Sequence, residues 1–287
     1  MSDDFNTLRP PGLLLATDLS ARCDRALERS KQLAAEFGWP IDVLTVFDAP
    51  QAPGDILEWL EGDGGREREV HGARIEIARE FEGSGLRVNQ RFAAGKVDQA
   101  ILETAAALPN YVVVTGASHD DSLGRLILGS TVERLARGLA QPLLVVRRRV
   151  RGSYRSILVA IDGAAASRLA VQLAARLFPE RRIVAHYAYP APDADAVDGA
   201  DGGPAARAEA GRFLDSCGLA PAVRASITVY AAEGEPDALL ARYVRTNGVD
   251  LAVVALHAQP PLARLLGDSR NDHLLQDFAC DTLLVPA

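Results

Sequence analysis

The chain repeats one pattern of landmarks, and this repeat constrains its fold more than any other feature of the sequence. Residues 95–98 (Gly-Lys-Val-Asp) precede a helical pattern and an apolar run that leads to Gly116. The same order returns at residues 234–237 (Gly-Glu-Pro-Asp), which precede a helical pattern and an apolar run that leads to Ala255. In both copies the second landmark follows the first by 21 residues, so the copies share a register as well as a composition. Such a repeat indicates a duplicated structural unit.

Length and composition allow two globular domains. The chain has 287 residues, of which 48% are hydrophobic and 24% are charged, and a domain usually takes about 100 to 200 residues. The repeat favours two domains over a single large one. We therefore expect one domain in residues 1–150 and the other in residues 151–287. Each half is long enough to bury a core of its own.

The charge balance argues against polyanionic partners. The formal net charge is −7, whereas proteins that bind nucleic acid or anionic membranes use clustered Lys and Arg. We therefore expect no nucleic-acid partner. One basic cluster stands at the junction between the copies, and we interpret it as a solvated rim: Arg147, Arg148, Arg149, Arg151 and Arg155.

The cysteines and the apolar runs indicate a cytoplasmic protein. Cys23, Cys217 and Cys280 lie far apart and form no Cys-x-x-Cys pair, so we expect neither a disulfide framework nor a zinc site. Residues 1–11 lack the basic start and the apolar core of a secretory signal. No apolar run approaches the roughly 20 residues of a membrane span. We expect a soluble cytoplasmic protein with no membrane partner.

Strand patterns and helix patterns alternate along each half. Short Val/Leu/Ile runs predict strands, and apolar residues that recur at three- and four-residue steps between them predict amphipathic helices. Apolar strands separated by helical crossovers are typical of a parallel sheet with both faces covered. The fold class expected for each half is therefore α/β, a doubly wound sheet of five parallel strands. The predicted strands are residues 13–17, 41–47, 86–92, 111–115 and 143–146, then 157–161, 182–188, 223–230, 251–255 and 282–285; the predicted helices are residues 21–37, 66–81, 97–108 and 130–138, then 167–178, 205–217, 237–246 and one after residue 268.

Two stretches break the alternation. Residues 48–65 and 190–204 are rich in Pro, Gly and acidic side chains, so we expect mobile surface segments there, with a short helix at 56–60. The first predicted helix, by contrast, has recognisable ends. Asp18 or Ser20 can serve as its N-cap, and Gly38 is predicted to end it.

The first copy carries a candidate anion-binding loop. In a doubly wound sheet, ligands bind beyond the carboxyl ends of the strands, where the strand order reverses. Gly116 directly follows a predicted strand, and the loop after it reaches Gly129-Ser130-Thr131 at the start of a predicted helix. Glycines let backbone N–H groups approach an anion, and a helix N-terminus adds unpaired donors and a positive dipole end. The arrangement favours a triphosphate, but glycines also serve strand-to-helix turns that bind nothing.

At this point the chain resembles a known family. Residues 13–20 resemble the opening strand of universal stress proteins, and residues 45–48 resemble their second strand. Residues 116–146 are similar to the family signature, in which spaced glycines and a Gly-Ser/Thr pair precede an apolar strand. The resemblance covers both halves, so it implies a tandem member with strand order 3-2-1-4-5 in each domain. It also implies an intramolecular pseudo-dimer, paired through the strands at 143–146 and 282–285.

The resemblance assigns roles to residues of the first copy. In ATP-binding members of the family, the end of the first strand contacts the adenosine, the second strand lines the base pocket, and the signature loop surrounds the phosphates. The resemblance therefore implies ATP, accompanied by Mg²⁺, and no catalytic residue. The implied contacts are Ala16, Thr17 and Asp18 at the adenosine, Val46 at the base, Thr115 and Gly116 at the start of the phosphate loop, and Gly129, Ser130 and Thr131 at its end.

His119 is a departure from the signature. It stands where the family has its second glycine. If that backbone position has a positive φ, a His there costs about 1 kcal/mol, against about 8 kcal/mol for micromolar binding. A neutral imidazole at this position either donates to a phosphate oxygen or has no role in an exposed loop. We keep His119 among the candidate nucleotide-binding residues.

The second copy lacks most of these features. Asp162 keeps the first-strand acid, but Ala255 and Ala258 stand where the signature has glycines. Asp268 places a carboxylate where the first copy has Gly129, and a negative side chain at the start of a helix repels phosphate. We therefore predict no nucleotide in the second half.

The favoured function is a regulatory stress-response protein that binds ATP in its N-terminal half. Its expected partners are the nucleotide and a signalling protein, and it acts as a monomer paired within one chain or as a homodimer. The alternative is a nucleotide-free scaffold or a binder of another small ligand. An ATP-hydrolysing enzyme needs a positioned acid or cations at the γ-phosphate, and Lys96 and Arg125 are the nearby cations. We expect weak hydrolysis at most.

Overall fold

The computed structural model of the chain divides into two compact units. It describes residues 12–47, 63–117, 130–190, 203–256 and 280–286. One unit ends at Ser153, and Tyr154 begins the other. We refer to them as the N-terminal and C-terminal units.

The N-terminal unit is an α/β fold with a parallel sheet. Its strands are ordered β3-β2-β1-β4-β5, and each neighbouring pair is parallel. The predicted strand order is therefore confirmed in this unit. Its elements are β1 (Gly12–Ala16), α1 (Asp24–Phe37), β2 (Ile41–Phe47), α2 (Asp63–Glu80), β3 (Val88–Ala94), α3 (Val97–Ala106), β4 (Tyr111–Gly116), α4 (Ser130–Gly138) and β5 (Leu143–Val146).

The C-terminal unit repeats this topology. Its strands are ordered β10-β9-β6-β7-β8, which is the order of the first unit read from the opposite edge, and its neighbouring strands are parallel. The doubly wound fold predicted for both halves is confirmed. The elements are β6 (Ser156–Ile161), α5 (Ala165–Leu177), β7 (Arg182–Tyr189), α6 (Gly203–Asp215), α7 (Pro221–Ser226), β8 (Thr228–Glu233), α8 (Pro236–Asn247), β9 (Leu251–Ala255) and β10 (Asp281–Val285).

The central strands form the cores of both units. All five residues of β1 are buried, as are those of β9, because a parallel sheet is covered by helices on both faces. The edge strand β3 instead alternates between half-buried and exposed residues along most of its length. Since all strands of a unit are parallel, their carboxyl ends meet at one edge of its sheet. Backbone hydrogen bonds continue the pairing at this edge, from Thr17 N to Leu44 O (3.0 Å) and from Ala117 N to Val146 O (3.0 Å).

One predicted strand of the C-terminal unit is partly wrong. Residues 221–226 form the short helix α7, and the strand β8 begins only at Thr228. Pro221 occupies the first turn of this helix, where its fixed φ suits the helix and its missing N–H costs no hydrogen bond. The apolar residues of this stretch therefore do not all belong to one strand.

Other sequence-based boundaries shift at the edges of the described ranges. The surface segments predicted at 48–65 and 190–204 extend too far, because α2 already begins at Asp63 and α6 at Gly203. The short helix predicted at 56–60 and the helix predicted after residue 268 lie outside the described residues.

The first helix starts later than predicted, and its predicted N-cap is wrong. It begins at Asp24, and Cys23 occupies the N-cap position without a side-chain capping bond. Neither Asp18 nor Ser20 caps the helix, because a separate turn lies between the strand and the helix. Its other end is as predicted, since Gly38 adopts a left-handed φ of 68° and its N–H donates to Ala34 O.

Helix α1 holds the segment that ends the N-terminal unit. Arg25 Nη1 donates to Arg147 O (2.7 Å) and Arg29 Nη1 donates to Gly152 O (2.9 Å), while Gln32 Nε2 contacts Ser153 Oγ at 3.2 Å. Arg147 itself is only 3% exposed. Reading all five junction arginines as a solvated rim was therefore wrong for Arg147.

Candidate functional site

The turn after β1 is built around one carboxylate oxygen. Asp18 Oδ1 accepts a hydrogen bond from Ser20 N (2.9 Å) and another from Cys23 Sγ (3.1 Å). Thr17 Oγ1 accepts from the backbone N–H of Leu19 at 2.9 Å. These short-range bonds are typical of Asx and ST turns. They fix the backbone between the sheet and α1 at the carboxyl edge.

Leu19 adopts a left-handed backbone conformation in this turn. Its φ is 61°. Among the described residues, it alone has a positive φ without being a glycine. A branched side chain in this region costs about 1 to 2 kcal/mol, so the surrounding hydrogen bonds must hold it there. Strain of this kind concentrates at ligand-binding and active sites.

The turn lowers the pKa of Asp18 and raises that of Cys23. Burial raises the pKa of Asp18, but the hydrogen bonds from Ser20 and Cys23 more than offset it, so the carboxylate is favoured. Burial is also the main cause of the raised pKa of the Cys23 thiol, and the adjacent negative charge of Asp18 adds to it. At neutral pH the pair is a carboxylate that accepts from a neutral thiol.

The end of β2 lies beside this turn. Leu15 of β1 pairs with Val43 of β2, and Thr17 continues the pairing through its bond to Leu44 O. Val46 follows two residues later and is half-buried. Its position at the open edge of the sheet is compatible with a planar ring packing against it.

The end of β4 lies on the other side of the turn. Leu15 pairs with Val114, so Thr115 and Gly116 extend beyond this pair toward the same edge. Both are half-buried. A Cβ atom at Gly116 would lie 3.3 Å from Arg22 O, so the loop before α1 approaches the backbone of β4 closely there. A glycine permits this approach.

The first turn of α4 is accessible. Ser130 is exposed and Thr131 is half-buried, whereas Val132 and Leu135 pack inward. Arg134 Nη2 contacts Ser130 Oγ at 3.3 Å, and Arg134 Nε pairs with Asp98 Oδ2 of α3 at 2.7 Å. Arg134 therefore places a cation beside the hydroxyl that begins the helix.

The structure brings together six of the ten sequence-predicted site residues. Ala16, Thr17 and Asp18 lie between the ends of β2 and β4, which carry Val46, Thr115 and Gly116. Ser130 and Thr131 begin α4, the helix that connects β4 to β5. His119 and Gly129 lie outside the described residues.

Sequence reasoning missed three contributors to this edge. Leu19 carries no sequence signal, because a left-handed leucine is atypical. Cys23 has no disulfide or metal spacing in the sequence, and its role as a hydrogen-bond donor to Asp18 has no sequence signal. Arg134 lies four residues after Ser130 and so on the same helix face, a spacing that could have identified it.

The second copy repeats the turn after its first strand. Asp162 Oδ1 accepts from Ala164 N at 3.0 Å and from Ser167 Oγ, with the same spacings of two and five residues as in the first copy. Gly163 takes the left-handed position, with a φ of 82°. Ala255 ends β9 fully buried. The residues from Ala258 through Ser269 lie outside the described residues.

The described residues provide neither a metal centre nor a membrane-spanning helix. No group of three or more His, Cys, Asp or Glu side chains there is arranged to hold a metal ion. Within the same ranges, every helix falls short of the length and apolar character that a bilayer-spanning segment needs.

Known proteins share this fold. The chain resembles a universal stress protein from Archaeoglobus fulgidus DSM 4304, with 16% identity, a TM-score of 0.71 and coverage of 97% of this chain and 99% of that one. It also resembles a functionally unknown protein from Pseudomonas aeruginosa PAO1, with 17% identity, a TM-score of 0.69 and coverage of 98% and 94%. No curated protein sequence matches the chain. The family model for the universal stress protein family matches twice, at residues 12–147 and 153–286, so the chain belongs to the universal stress protein family as a tandem member.

Proposed function

We propose that the N-terminal unit binds ATP at the carboxyl edge of its sheet and that the chain is a regulatory stress-response protein. The observation that carries this proposal is the placement of the Asp18 turn directly between the ends of β2 and β4, beside the strand from which the signature loop departs. A nucleotide lying across this edge would contact a hydroxyl, a carboxylate and an apolar side chain from two strands. This is the position at which doubly wound sheets bind ligands.

The adenosine end of the site is supported by the side chains of the turn. Asp18 Oδ1 accepts the two hydrogen bonds of the turn, so Oδ2 is the oxygen available to a ribose hydroxyl. The lowered pKa of Asp18 keeps this carboxylate ionised at neutral pH, and an ionised acceptor makes the stronger hydrogen bond. Val46 supplies an apolar contact for the base.

The phosphate end is supported by the first turn of α4. This helix has nine residues, and its exposed start offers unpaired backbone donors and the positive end of its dipole. The hydroxyls of Ser130 and Thr131 and the guanidinium of Arg134 add polar groups of the type that phosphates require. Gly116 begins the loop that leads to α4, and its lack of a side chain leaves room for the neighbouring backbone there.

Mg²⁺ is proposed to enter with the nucleotide. The phosphate end offers the hydroxyls of Ser130 and Thr131, and Mg²⁺ in nucleotide sites is typically held by phosphates, water and one or two protein oxygens. The donor set therefore fits a Mg²⁺–ATP complex better than a free ion. When bound, Mg²⁺ would neutralise part of the phosphate charge.

Binding rather than turnover is the proposed activity. Phosphoryl transfer to water requires a residue that positions the water and cations that stabilise the γ-phosphate. Lys96 is exposed at the start of α3, and Arg134 is already paired with Asp98. Arg125 lies outside the described residues. The proposed role in signalling also requires a protein partner that distinguishes the ATP-bound chain from the ATP-free chain.

The cytoplasm is the proposed location. All three cysteines are reduced thiols rather than disulfides, and reduced thiols are compatible with a reducing compartment.

Isothermal titration calorimetry with Mg²⁺–ATP tests the nucleotide site. We compare the wild-type chain with Gly129→Asp, which introduces the carboxylate that the second copy carries as Asp268. The matched control is Gly72→Asp on α2, where an added Cβ meets nothing within 4 Å. We expect at least a tenfold loss of affinity, about 1.4 kcal/mol, for Gly129→Asp and none for Gly72→Asp. Silence of the wild-type chain would instead favour the nucleotide-free scaffold.

A further inference from the structure

A second cleft lies in the C-terminal unit, between the ends of β6 and β7 and helix α6. Its volume is about 400 Å³, and it is open to solvent on one side. Ile161 and Tyr187 form the wall from the strands, and Ala210 and Phe213 form the wall from α6. This volume falls within the usual range for small-molecule pockets.

This cleft does not contain the counterpart of Val46, although Ile161 stands where the first unit has Thr17. Gly95 N donates to Phe47 O and Gly234 N donates to Tyr189 O, each at 3.0 Å, so Tyr189 corresponds to Phe47. The counterpart of Val46 is therefore Ala188. Because neighbouring residues on a strand point to opposite faces, Tyr187 faces away from the side on which Ala188 lies. Ile161 pairs with Tyr187 in register and faces the same way, toward α6.

Two opposite charges lie at the rim of the cleft. Glu209 and Arg212 both line it and are exposed, and they lie three residues apart, on one face of α6. Neither makes an ion pair with another side chain in the described ranges of the chain. The cleft therefore presents a carboxylate and a guanidinium above an apolar floor.

The phenol of Tyr187 lies close to this carboxylate. Burial is the main cause of its raised pKa, and the negative charge of Glu209, a hydrogen bond to Glu209 and the negative charge of Asp162 raise it further. The hydroxyl is therefore neutral at physiological pH and donates to Glu209, which orients this carboxylate at the rim. Two carboxylates near the mouth disfavour a polyanionic ligand such as a nucleotide triphosphate.

Gly163 keeps the cleft open. It lines the cleft, and a Cβ added there would meet nothing within 4 Å. The corresponding residue of the first copy is Leu19. A side chain of that size at position 163 would extend into open space that the cleft now provides.

We infer that this cleft binds a small zwitterion with an apolar side chain, of the size and charge pattern of a free α-amino acid. The ammonium group pairs with Glu209, the carboxylate pairs with Arg212, and the apolar side chain packs on Ile161, Ala210 and Phe213. A neutral apolar molecule would leave the two rim charges uncompensated as it displaced their water. A zwitterion satisfies both.

Calorimetric titration of the full chain with L-leucine and L-phenylalanine tests this inference. N-acetyl-leucine, which lacks the ammonium group, and leucinamide, which lacks the carboxylate, are the ligand controls. We expect each control to bind at least tenfold more weakly than L-leucine. Absence of binding by both amino acids, or binding of either derivative as tight as that of L-leucine, would overturn the inference.

Variants assign the binding to this cleft. Glu209→Gln and Arg212→Gln should each weaken L-leucine binding at least tenfold, whereas Glu180→Gln and Arg245→Gln, at exposed positions that do not line the cleft, should not change it. Gly163→Leu should remove binding by filling the cleft. ATP titration of Glu209→Gln separates the two sites, because the nucleotide affinity should equal that of the wild type. Unchanged amino-acid binding in both rim variants would contradict the assignment.

Discussion

The turns after β1 and β6 share two hydrogen bonds to an aspartate oxygen but differ in the strain of their backbones. Each begins with an aspartate whose Oδ1 accepts from the N–H two residues later and from a side chain five residues later, which is Cys23 in the first unit and Ser167 in the second. The residue after the aspartate is left-handed in both, with a φ of 61° at Leu19 and 82° at Gly163. The first unit therefore retains a strained leucine where the second has a glycine. The shared hydrogen bonds specify the turn, and the residue in the left-handed position differs between the copies.

The two copies also carry different side chains at corresponding positions of their first helix and second strand. The residues of α5 that correspond to Arg25 and Arg29 are Leu169 and Leu173, so the polar row that binds residues 147–153 belongs to the first unit alone. The residue that corresponds to Leu44 is His186, a polar group in the core of the second unit. Exchanging residues between corresponding positions tests what each difference does.

The largest expected effect concerns His186. This side chain is 2% exposed, packs against the rings of Tyr230 and Tyr243, and its Nε2 has no hydrogen-bond partner among the described residues. Burial, with a smaller contribution from the charge of Arg242, lowers its pKa from 6.5 to about 4. In the unfolded chain this histidine takes up a proton below pH 6.5, whereas in the folded chain it does so only near pH 4. The folded state is therefore destabilised relative to the unfolded state as the pH falls from 6.5 to about 4.

Replacing His186 with leucine, the residue of the first copy, should remove this loss. We expect His186→Leu to gain up to about 3 kcal/mol relative to wild type between pH 7.5 and pH 4, measured as the change in unfolding free energy by urea titration at each pH. His71→Leu, at an exposed position of α2, is the control. Parallel pH profiles of wild type and His186→Leu would show that His186 is not the source.

The next effect concerns the arginine row of α1. Arg29→Leu introduces the residue of the second copy and removes the bonds to Gly152 O and to Gln32 Oε1. We expect a loss of about 1 to 3 kcal/mol in unfolding free energy and faster tryptic cleavage after Arg148, Arg149 or Arg151. Arg79→Leu, which removes an exposed arginine of α2, should leave the cleavage rate unchanged. Equal rates for both variants would mean that Arg29 does not hold the segment.

A smaller effect separates the two donors to the turn aspartates. Ser167 is fully buried and both donates to Asp162 Oδ1 and accepts from Asp162 N (3.3 Å). Ser167→Ala should therefore cost about 1 to 2 kcal/mol of unfolding free energy, and Cys23→Ala less than about 1 kcal/mol because a thiol is a weak donor. Chemical denaturation of both variants measures this order. A larger cost for Cys23→Ala would show that the first turn depends more on its thiol than the geometry suggests.

The smallest effect concerns the left-handed position of the second turn. Gly163→Ala forces a Cβ into a φ of 82° and should cost about 1 kcal/mol. Gly72→Ala, in a helix with open space around it, should instead stabilise by about 0.5 to 1 kcal/mol. The opposite signs, measured by thermal or urea denaturation, distinguish a conformational requirement from a simple loss of glycine flexibility.

The fold could be predicted from sequence because its signals are local and repeated. The apolar runs at β1, β4 and β9 are buried on both faces and so read as continuous hydrophobic stretches. The strand predicted to begin at Val223 is wrong at its start, because a helix of six residues and the following strand share one apolar stretch. Proline at the first helical position is the signal that separates them.

The site could be predicted only in outline. Parallel strands place their ends at one edge, so the neighbourhood of Asp18 and Gly116 followed from the strand order. The left-handed Leu19 could not be predicted, because its conformation is imposed by bonds to Thr17 and Asp18 rather than by its own preference. The pairing of Arg134 with Asp98 joins two helices, and side-chain contacts between elements depend on packing that periodicity does not specify.

Native mass spectrometry of the full chain with Mg²⁺–ATP tests the central claim most directly, because it counts nucleotides bound per chain. The account predicts a single nucleotide per chain, which Gly129→Asp removes and the corresponding change of the second copy, Asp268→Gly, leaves in place. Two nucleotides bound to the wild-type chain, or one that persists in Gly129→Asp, would contradict it.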